Sequence, residues 1–215
     1  MVTGHDITTL DGLRGLYREP SALVQAKKVG RIDEVTREVL EGSPLFLLAT
    51  SGSDGSCDVS PRGGPPGQLV VLDDETLAFP DLNGNNLVDS LTNIVANPHV
   101  GLLVITPGTD ETLRVDGTAT ITTDPDLLGR WEGLLRRPKV AVRVTVEHAF
   151  LHCAKAFRRA ELWDPASWTG ARGTGVAPDP VDMLHSQLGM DSDPAATRRR
   201  LEGSYEEGLA ADRPE

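Results

Sequence analysis

Three short polar segments carry side chains suited to binding an anionic, oxygen-rich ligand. They are SPRGGPPG at 60–67, PDLNGNN at 80–86 and ETLRVDG at 111–117. Their glycines allow a ligand to approach the backbone closely. Arg62, Asn85, Asn86 and Arg114 offer hydrogen-bond donors, and the planar guanidinium of an arginine can donate two charge-assisted bonds to one phosphate. Together the segments predict a site for a phosphorylated small molecule.

Each segment also has a purely structural interpretation. The first could be a strand end and turn, the second an Asn/Gly turn before a helix, and the third a solvated strand edge. The second also imitates the start of a calcium loop, with oxygen ligands at Asp81, Asn83 and Asn85. However, Asn86 stands where that loop needs glycine and Thr92 where it needs a bidentate acid. The sequence therefore does not favour calcium.

A second candidate metal site lies near the end of the last predicted strand, at His148 and His152. The two histidines share a strand face, but no compact fourth ligand accompanies them, so zinc is not favoured. Cys153 follows His152 directly, yet adjacent strand residues point to opposite faces, so the pair does not indicate a catalytic dyad.

The elements that must position these segments are mostly strands. Alternating and apolar runs predict strands at 45–50, 57–60, 68–73, 76–80, 100–106, 112–121 and 139–153, with a bend in the last near Glu147 and His148. Helices are predicted at 87–96 and 124–135, the second with Asp124 as N-cap. Many short strands with few crossing helices favour an antiparallel barrel over a doubly wound parallel sheet.

No linker divides the 215 residues, so one domain is predicted over 1–215. Residues 1–42 form its helical cover, broken near Pro20, and 43–163 its barrel core. Residues 164–215 supply a loop and two helices, at 181–188 and 195–209. Within that loop, GARGTG at 170–175 lacks the spacing and strand–turn–helix context of a dinucleotide-binding fingerprint.

Charge and composition exclude several function classes. The net charge of -11 argues against a general nucleic-acid or anionic-membrane binder, because both need a broad basic surface. The first residues lack the segments of a secretory signal, and no apolar stretch is long enough for a membrane helix. Two cysteines, Cys57 and Cys153, do not make a disulfide framework, so a cytoplasmic protein with reduced thiols is expected.

The three segments, in this order, resemble the pyridoxamine 5'-phosphate oxidase-like flavoproteins over roughly Ser43 to Trp163. The resemblance implies a mainly β (α+β) fold, a mostly antiparallel split β-barrel with peripheral helices, and FMN held between the subunits of a homodimer. It also implies an FMN-dependent oxidoreductase acting on a small-molecule substrate, with NADH or NADPH as a possible electron donor. A pyridoxamine phosphate oxidase is a narrower alternative that the sequence does not favour, because the basic phosphate-binding set of that enzyme is not present in full.

The resemblance also assigns cofactor-binding roles to residues of this sequence. It places flavin or phosphate contacts, ribityl contacts and the border of the flavin pocket at Ser60, Pro61, Arg62, Asp81, Asn85, Asn86, Thr112, Arg114, Lys155 and Trp163. Leu87 and Val88 stand where the family often carries basic phosphate ligands, so the phosphate depends on Arg62 or on a residue outside this set. A flavin-storing protein without turnover, or a split barrel using deazaflavin or haem, are the alternatives.

Overall fold

The computed structural model describes residues 5–168 and 179–214 and consists mainly of one seven-stranded sheet. The spatial order is β2-β1-β5-β6-β7-β4-β3, and every pairing is antiparallel. The strands are β1 (Leu45–Ser51), β2 (Cys57–Gly63), β3 (Val70–Val71), β4 (Thr76–Pro80), β5 (His99–Ile105), β6 (Thr112–Thr122) and β7 (Ala141–His152). The mainly β split-barrel class is confirmed, although hydrogen bonding between the described strands does not close the sheet.

The larger of two buried hydrophobic clusters in the described residues lies against one face of the curved sheet, here called the core face, and a smaller cluster around Trp131 covers the other face at β4 and β7. Phe46 and Leu48 of β1 are buried on the core face, beside Leu102 and Val104 of β5. Phe46 packs edge to face on Phe79 of β4, with ring centroids 5.0 Å apart. Because β1 and β4 are far apart in strand order, this contact shows that the sheet curls around its own interior.

The longest ladder, between β6 and β7, contains a β-bulge. Its register shifts between Asp116 and Gly117, which leaves Glu147 as the extra residue on β7. The bend predicted near Glu147 is therefore confirmed. A Cβ built on Gly117 would overlap the carbonyl oxygen of Thr145 and lie 3.0 Å from its carbonyl carbon. The close approach of the two backbones thus requires glycine at position 117.

Short helices surround the sheet. They are α1 (Leu10–Arg14), α2 (Ala22–Ala26), α3 (Glu34–Gly42), α4 (Asp89–Ala96), α5 (Pro125–Leu128), α6 (Lys155–Arg159), α7 (Pro180–Leu188) and α8 (Pro194–Ala211). No helix within these described ranges has the length and apolar character needed to span a membrane. GARGTG at 170–175 lies outside the described residues.

Three segments differ from the sequence prediction. The predicted helix at 124–135 continues from α5 only as a 3-10 turn, Gly129–Trp131, and Gly133 then takes a positive φ of 82°. The predicted strand at 68–73 shrinks to β3, because Gln68 is still held in a turn by its N–H bond to the Pro65 carbonyl. Finally, β2 extends through Gly63 instead of ending at Ser60.

The N-terminal cover is only partial. Neither α1 nor α2 has a buried residue, and Leu10 and Leu23 are 80% and 79% exposed. By contrast, Ile32 and Leu40 are buried in the core. This segment therefore covers the sheet through the part around α3 and through Val29, which forms an isolated bridge with Ala149 of β7.

The two predicted C-terminal helices are present and are joined to each other. The Asp179 carboxylate caps α7 and accepts a hydrogen bond from Arg198 of α8 at 2.5 Å, which lowers the pKa of Asp179. His185 of α7 and Thr197 of α8 are 2.9 Å apart at Nε2 and Oγ1. These contacts fix the direction in which α8 leaves α7.

Candidate functional site

A cleft of about 510 Å³ lies between the edge strand β2 and the loop 81–88 that follows β4. Its other walls are the first turn of α4, the segment 136–139 before β7, and the end of α8 at Ala211 and Asp212. This volume is in the range of small-molecule sites, which usually span about 300–1,000 Å³.

The polar wall of the cleft comes from strand alternation in β2. Arg62 pairs with Phe46 and Ser60 with Leu48, and partners in an antiparallel pair share a sheet face. Asp58, Ser60 and Arg62 therefore continue the core face at the sheet edge, where polar side chains replace apolar ones.

Arg62 is held in place by two hydrogen bonds. Its Nε donates to Ser60 Oγ at 3.2 Å and its Nη1 to Asp81 Oδ1 at 3.1 Å, with 23% of the side chain exposed. Ser60 Oγ is also 3.2 Å from Ser90 Oγ, which ties β2 to α4. No further partner of the guanidinium is found among the described residues, so its remaining N–H groups are available to an anion.

The loop 81–88 contains two residues in the left-handed region. Asn86 has φ 60° and Val88 has φ 53°, and such a conformation is unusual for a β-branched residue. Val88 is the N-cap of α4 but provides no side-chain cap. The first-turn N–H groups of α4 therefore face the cleft without a capping side chain, and the helix adds partial positive charge there.

Another wall of the cleft carries basic residues that the sequence analysis did not identify. Arg136, Arg137 and Lys139 line the same cleft as Arg62. The RRPK string at 136–139 was the available signal, but a cationic string beside a helix usually means a solvated surface. Lys139 has no hydrogen bond or ion pair among the described residues, whereas Arg137 donates to Glu132 and to the Pro125 carbonyl.

Carboxylates also line the cleft, so its charge is mixed. Asp58 accepts a hydrogen bond from Asn93 at 2.6 Å, and Asp81 is paired with Arg62. Asp89 and Asp212 are the other two acids in the lining. Because Asp81 is engaged by Arg62 and Lys139 has no acidic partner among the described residues, Lys139 is available to pair with an anion.

Five of the ten predicted site residues line the cleft, namely Ser60, Arg62, Asp81, Asn85 and Asn86. Asn85 also shapes the loop, because its Oδ1 accepts the N–H of Leu87 at 3.0 Å. Asn83 lines the cleft as well. The predicted clustering of the first two polar segments is therefore present in the structure.

The third polar segment lies on the opposite face of the sheet. Leu113 shares the core face, so Thr112 and Arg114 alternate onto the outer face. Thr112 is 4% exposed, and Arg114 Nε donates to Asp116 at 2.9 Å. Pro61 also lies on the outer face, at one of the exposed positions of β2.

Lys155 and Trp163 also lie away from the cleft. Trp163 Nε1 donates to the Thr109 carbonyl at 3.0 Å, and its ring centroid is 5.9 Å from that of Phe157. Lys155 is exposed at the start of α6. Within one chain, the structure does not bring these residues to Arg62.

The candidate metal positions are engaged elsewhere or isolated. Asp81 pairs with Arg62, Asn83 with Asp212, and Asn85 with the Leu87 N–H. Across residues 5–168 and 179–214, no three His, Cys, Asp or Glu side chains are grouped to hold a metal ion. Cys57 and Cys153 are exposed free thiols.

Most residues that line the cleft fall in a region that matches a known protein family. The sequence model of the family described as pyridoxamine 5'-phosphate oxidase matches residues 32–153, more than half of the chain. A comparison with curated proteins gave no match.

Several solved structures are similar to this chain. HupZ from Group A Streptococcus has 20% identity and a TM-score of 0.46, over 56% of this chain and 93% of that chain. General Stress Protein 26 from Bacillus anthracis has 18% identity and a TM-score of 0.40, over 53% and 87%. An F420 reductase has 27% identity and a TM-score of 0.37, over 54% and 94%.

Proposed function

Since the chain belongs to the pyridoxamine 5'-phosphate oxidase family, we propose that it is an FMN-dependent oxidoreductase whose cleft holds the phosphate end of FMN. The observation that carries the proposal is the convergence of Arg62, Lys139 and the uncapped start of α4 on one cleft. Each of these groups favours an anion.

The residues of the cleft fit the polar half of FMN. Arg62 and Lys139 would hold the phosphate, and the Asn85 and Asn86 amides would bind ribityl hydroxyls. Asp81 and Ser60 keep the Arg62 guanidinium in position through the hydrogen bonds described above. Bound FMN would supply hydride or electron transfer to a small molecule, with NADH or NADPH as electron donor.

The first prediction concerns the chromophore. The purified or reconstituted protein should be yellow, with about one FMN per chain, and should quench FMN fluorescence at micromolar concentration. Anaerobic NADH or NADPH should bleach it if it turns over. Stable flavin without donor-dependent bleaching would indicate a storage protein. A Soret band would indicate haem, and a deazaflavin spectrum would indicate a deazaflavin-binding protein. A protein that stays colourless after reconstitution would contradict the proposal.

We further propose that the protein is a homodimer in which a second copy completes each cofactor site. Thr112, Arg114, Lys155 and Trp163 cannot reach the cleft of their own chain, so a second copy would have to bring them there. Apolar surface is available for such a contact, because Val59 on the outer face of β2 is 67% exposed and α1 and α2 bury no residue. Exposed apolar surface of this kind often marks an interface.

The second prediction follows from that arrangement. If both sites lie at one two-fold interface, FMN binding and dimerisation are thermodynamically linked. Dilution should release FMN, and saturating FMN should shift the equilibrium toward dimer. Sedimentation velocity over a concentration series, with and without FMN, measures both effects. A monomer that keeps full FMN occupancy would rule out the shared site.

A further inference from the structure

Asp212, at the C-terminal end of α8, joins three walls of the cleft. Its Oδ1 accepts hydrogen bonds from the backbone N–H of Asn83 at 3.0 Å and from Asn83 Nδ2 at 2.7 Å. Its carbonyl oxygen accepts the backbone N–H of Arg136 at 2.9 Å. One residue therefore links α8 to the loop 81–88 and to the basic segment 136–139.

The apolar side chains at this junction remain partly exposed to solvent, and polar bonds supplement their contact. Asp212 and Leu209 of α8 line a second, smaller cavity of about 250 Å³, together with Leu82 and Leu134. Leu209 itself is largely exposed. Hydrogen bonds donated by Asn83 to the charged Asp212 carboxylate therefore restrain the loop against the end of α8.

The loop needs such a restraint because its backbone is strained. Left-handed conformations are unfavourable for a β-branched residue such as Val88, less so for Asn86, and persist where surrounding contacts fix them. The loop's residues from Asn83 to Val88 are exposed. Asp81 N–H is anchored to the Val140 carbonyl at 3.0 Å, and Asp212 holds the next part of the loop.

We propose that Asp212 is a positioning residue that preorganises the cofactor loop, so that the C-terminal helix is part of the binding site. This inference rests on the proposed function, because it assigns the loop to FMN. Asp212 lies outside the matched family region 32–153, so the family match does not account for this contact. Holding the loop in its bound conformation lowers the entropy cost of binding and slows dissociation.

The test compares Asp212→Ala and Asp212→Asn with Glu207→Ala, an exposed acid on the same helix. Hydrogen exchange of the cofactor-free protein should show the amides of 82–88 losing protection by about tenfold in Asp212→Ala, with the β6–β7 ladder unchanged. FMN should dissociate about tenfold faster from this variant. Asp212→Asn keeps an acceptor oxygen and should recover part of both effects, and Glu207→Ala should match wild type.

Asn83→Ala provides the second comparison, because it removes one of the two hydrogen bonds to the Asp212 carboxylate. The double variant should resemble Asp212→Ala, since the two side chains act through one contact. Wild-type loop protection and FMN dissociation in Asp212→Ala would overturn the inference, as would equal loss of protection throughout the fold. Failure of wild-type protein to bind FMN would instead overturn the proposed function, while the exchange experiment would still report on the Asp212 contact.

Discussion

Arg62→Ala is expected to weaken FMN binding by about 10- to 100-fold and riboflavin binding far less. Charge-assisted hydrogen bonds contribute about 1.5–3 kcal/mol each, and about 1.4 kcal/mol corresponds to tenfold in affinity. Riboflavin lacks the phosphate, so it does not use these bonds. Fluorescence-quenching titrations with both ligands measure the difference.

Two further variants separate the phosphate contact from side effects. Removing Arg62 leaves Asp81 unpaired in the cleft, where its charge would repel phosphate, so Arg62→Ala combined with Asp81→Asn should recover part of the lost affinity. Arg143→Ala is the matched control, since Arg143 pairs with Asp124 at 3.3 Å outside the cleft lining. It should bind both ligands as wild type does.

Equal losses for FMN and riboflavin in Arg62→Ala would reject this residue as the phosphate contact. Lys139→Ala then becomes the informative variant, because Lys139 also lines the cleft and has no ion pair among the described residues. A selective loss of FMN in that variant alone would place the phosphate at the 136–139 segment.

Strand positions were predictable because alternation is a local property of the chain. The end of β2 was not, since Pro61 and the glycines that follow it suggested a turn after Ser60. β2 is an edge strand, and proline is tolerated there because one side of the strand needs no ladder partner. The strand thus continues, and Arg62 lies on the same face as Ser60.

Only half of the site could be predicted, because alternation is local whereas the pairing of strands is not. Alternation placed Thr112 and Arg114 on one face of β6, but the register across β1 and β5 decides that this is the face opposite Arg62. The hydrogen bonds between Asp212 and Asn83 join residues 129 positions apart, and no local sequence pattern predicts them. Strand register and contacts between distant residues can be determined only from the folded structure.

The glycine that ends the third polar segment has a structural role that ligand binding does not explain. Gly117 lies at the bulge of the β6–β7 ladder, and a Cβ there would overlap the Thr145 carbonyl oxygen. The obstacle is backbone, so no rotamer change can relieve it. Gly101 on β5 lies beside the same ladder, but its added Cβ would meet only ordinary contacts, at 3.6 Å from Asp116 Oδ1 and 3.8 Å from Ala49 Cβ.

Gly117→Ala is therefore expected to lower the free energy of unfolding by at least about 3 kcal/mol, and the midpoint of thermal unfolding by roughly 6–12 °C. Gly101→Ala should change stability by less than about 1 kcal/mol, since alanine also restricts the unfolded chain. Thermal and denaturant unfolding of cofactor-free protein measure both variants without a contribution from bound ligand. A Gly117→Ala protein as stable as Gly101→Ala would mean that β6 and β7 separate at the bulge at little cost. The glycine of this segment would then have to be explained by ligand approach, which FMN affinity of the same variant would reveal.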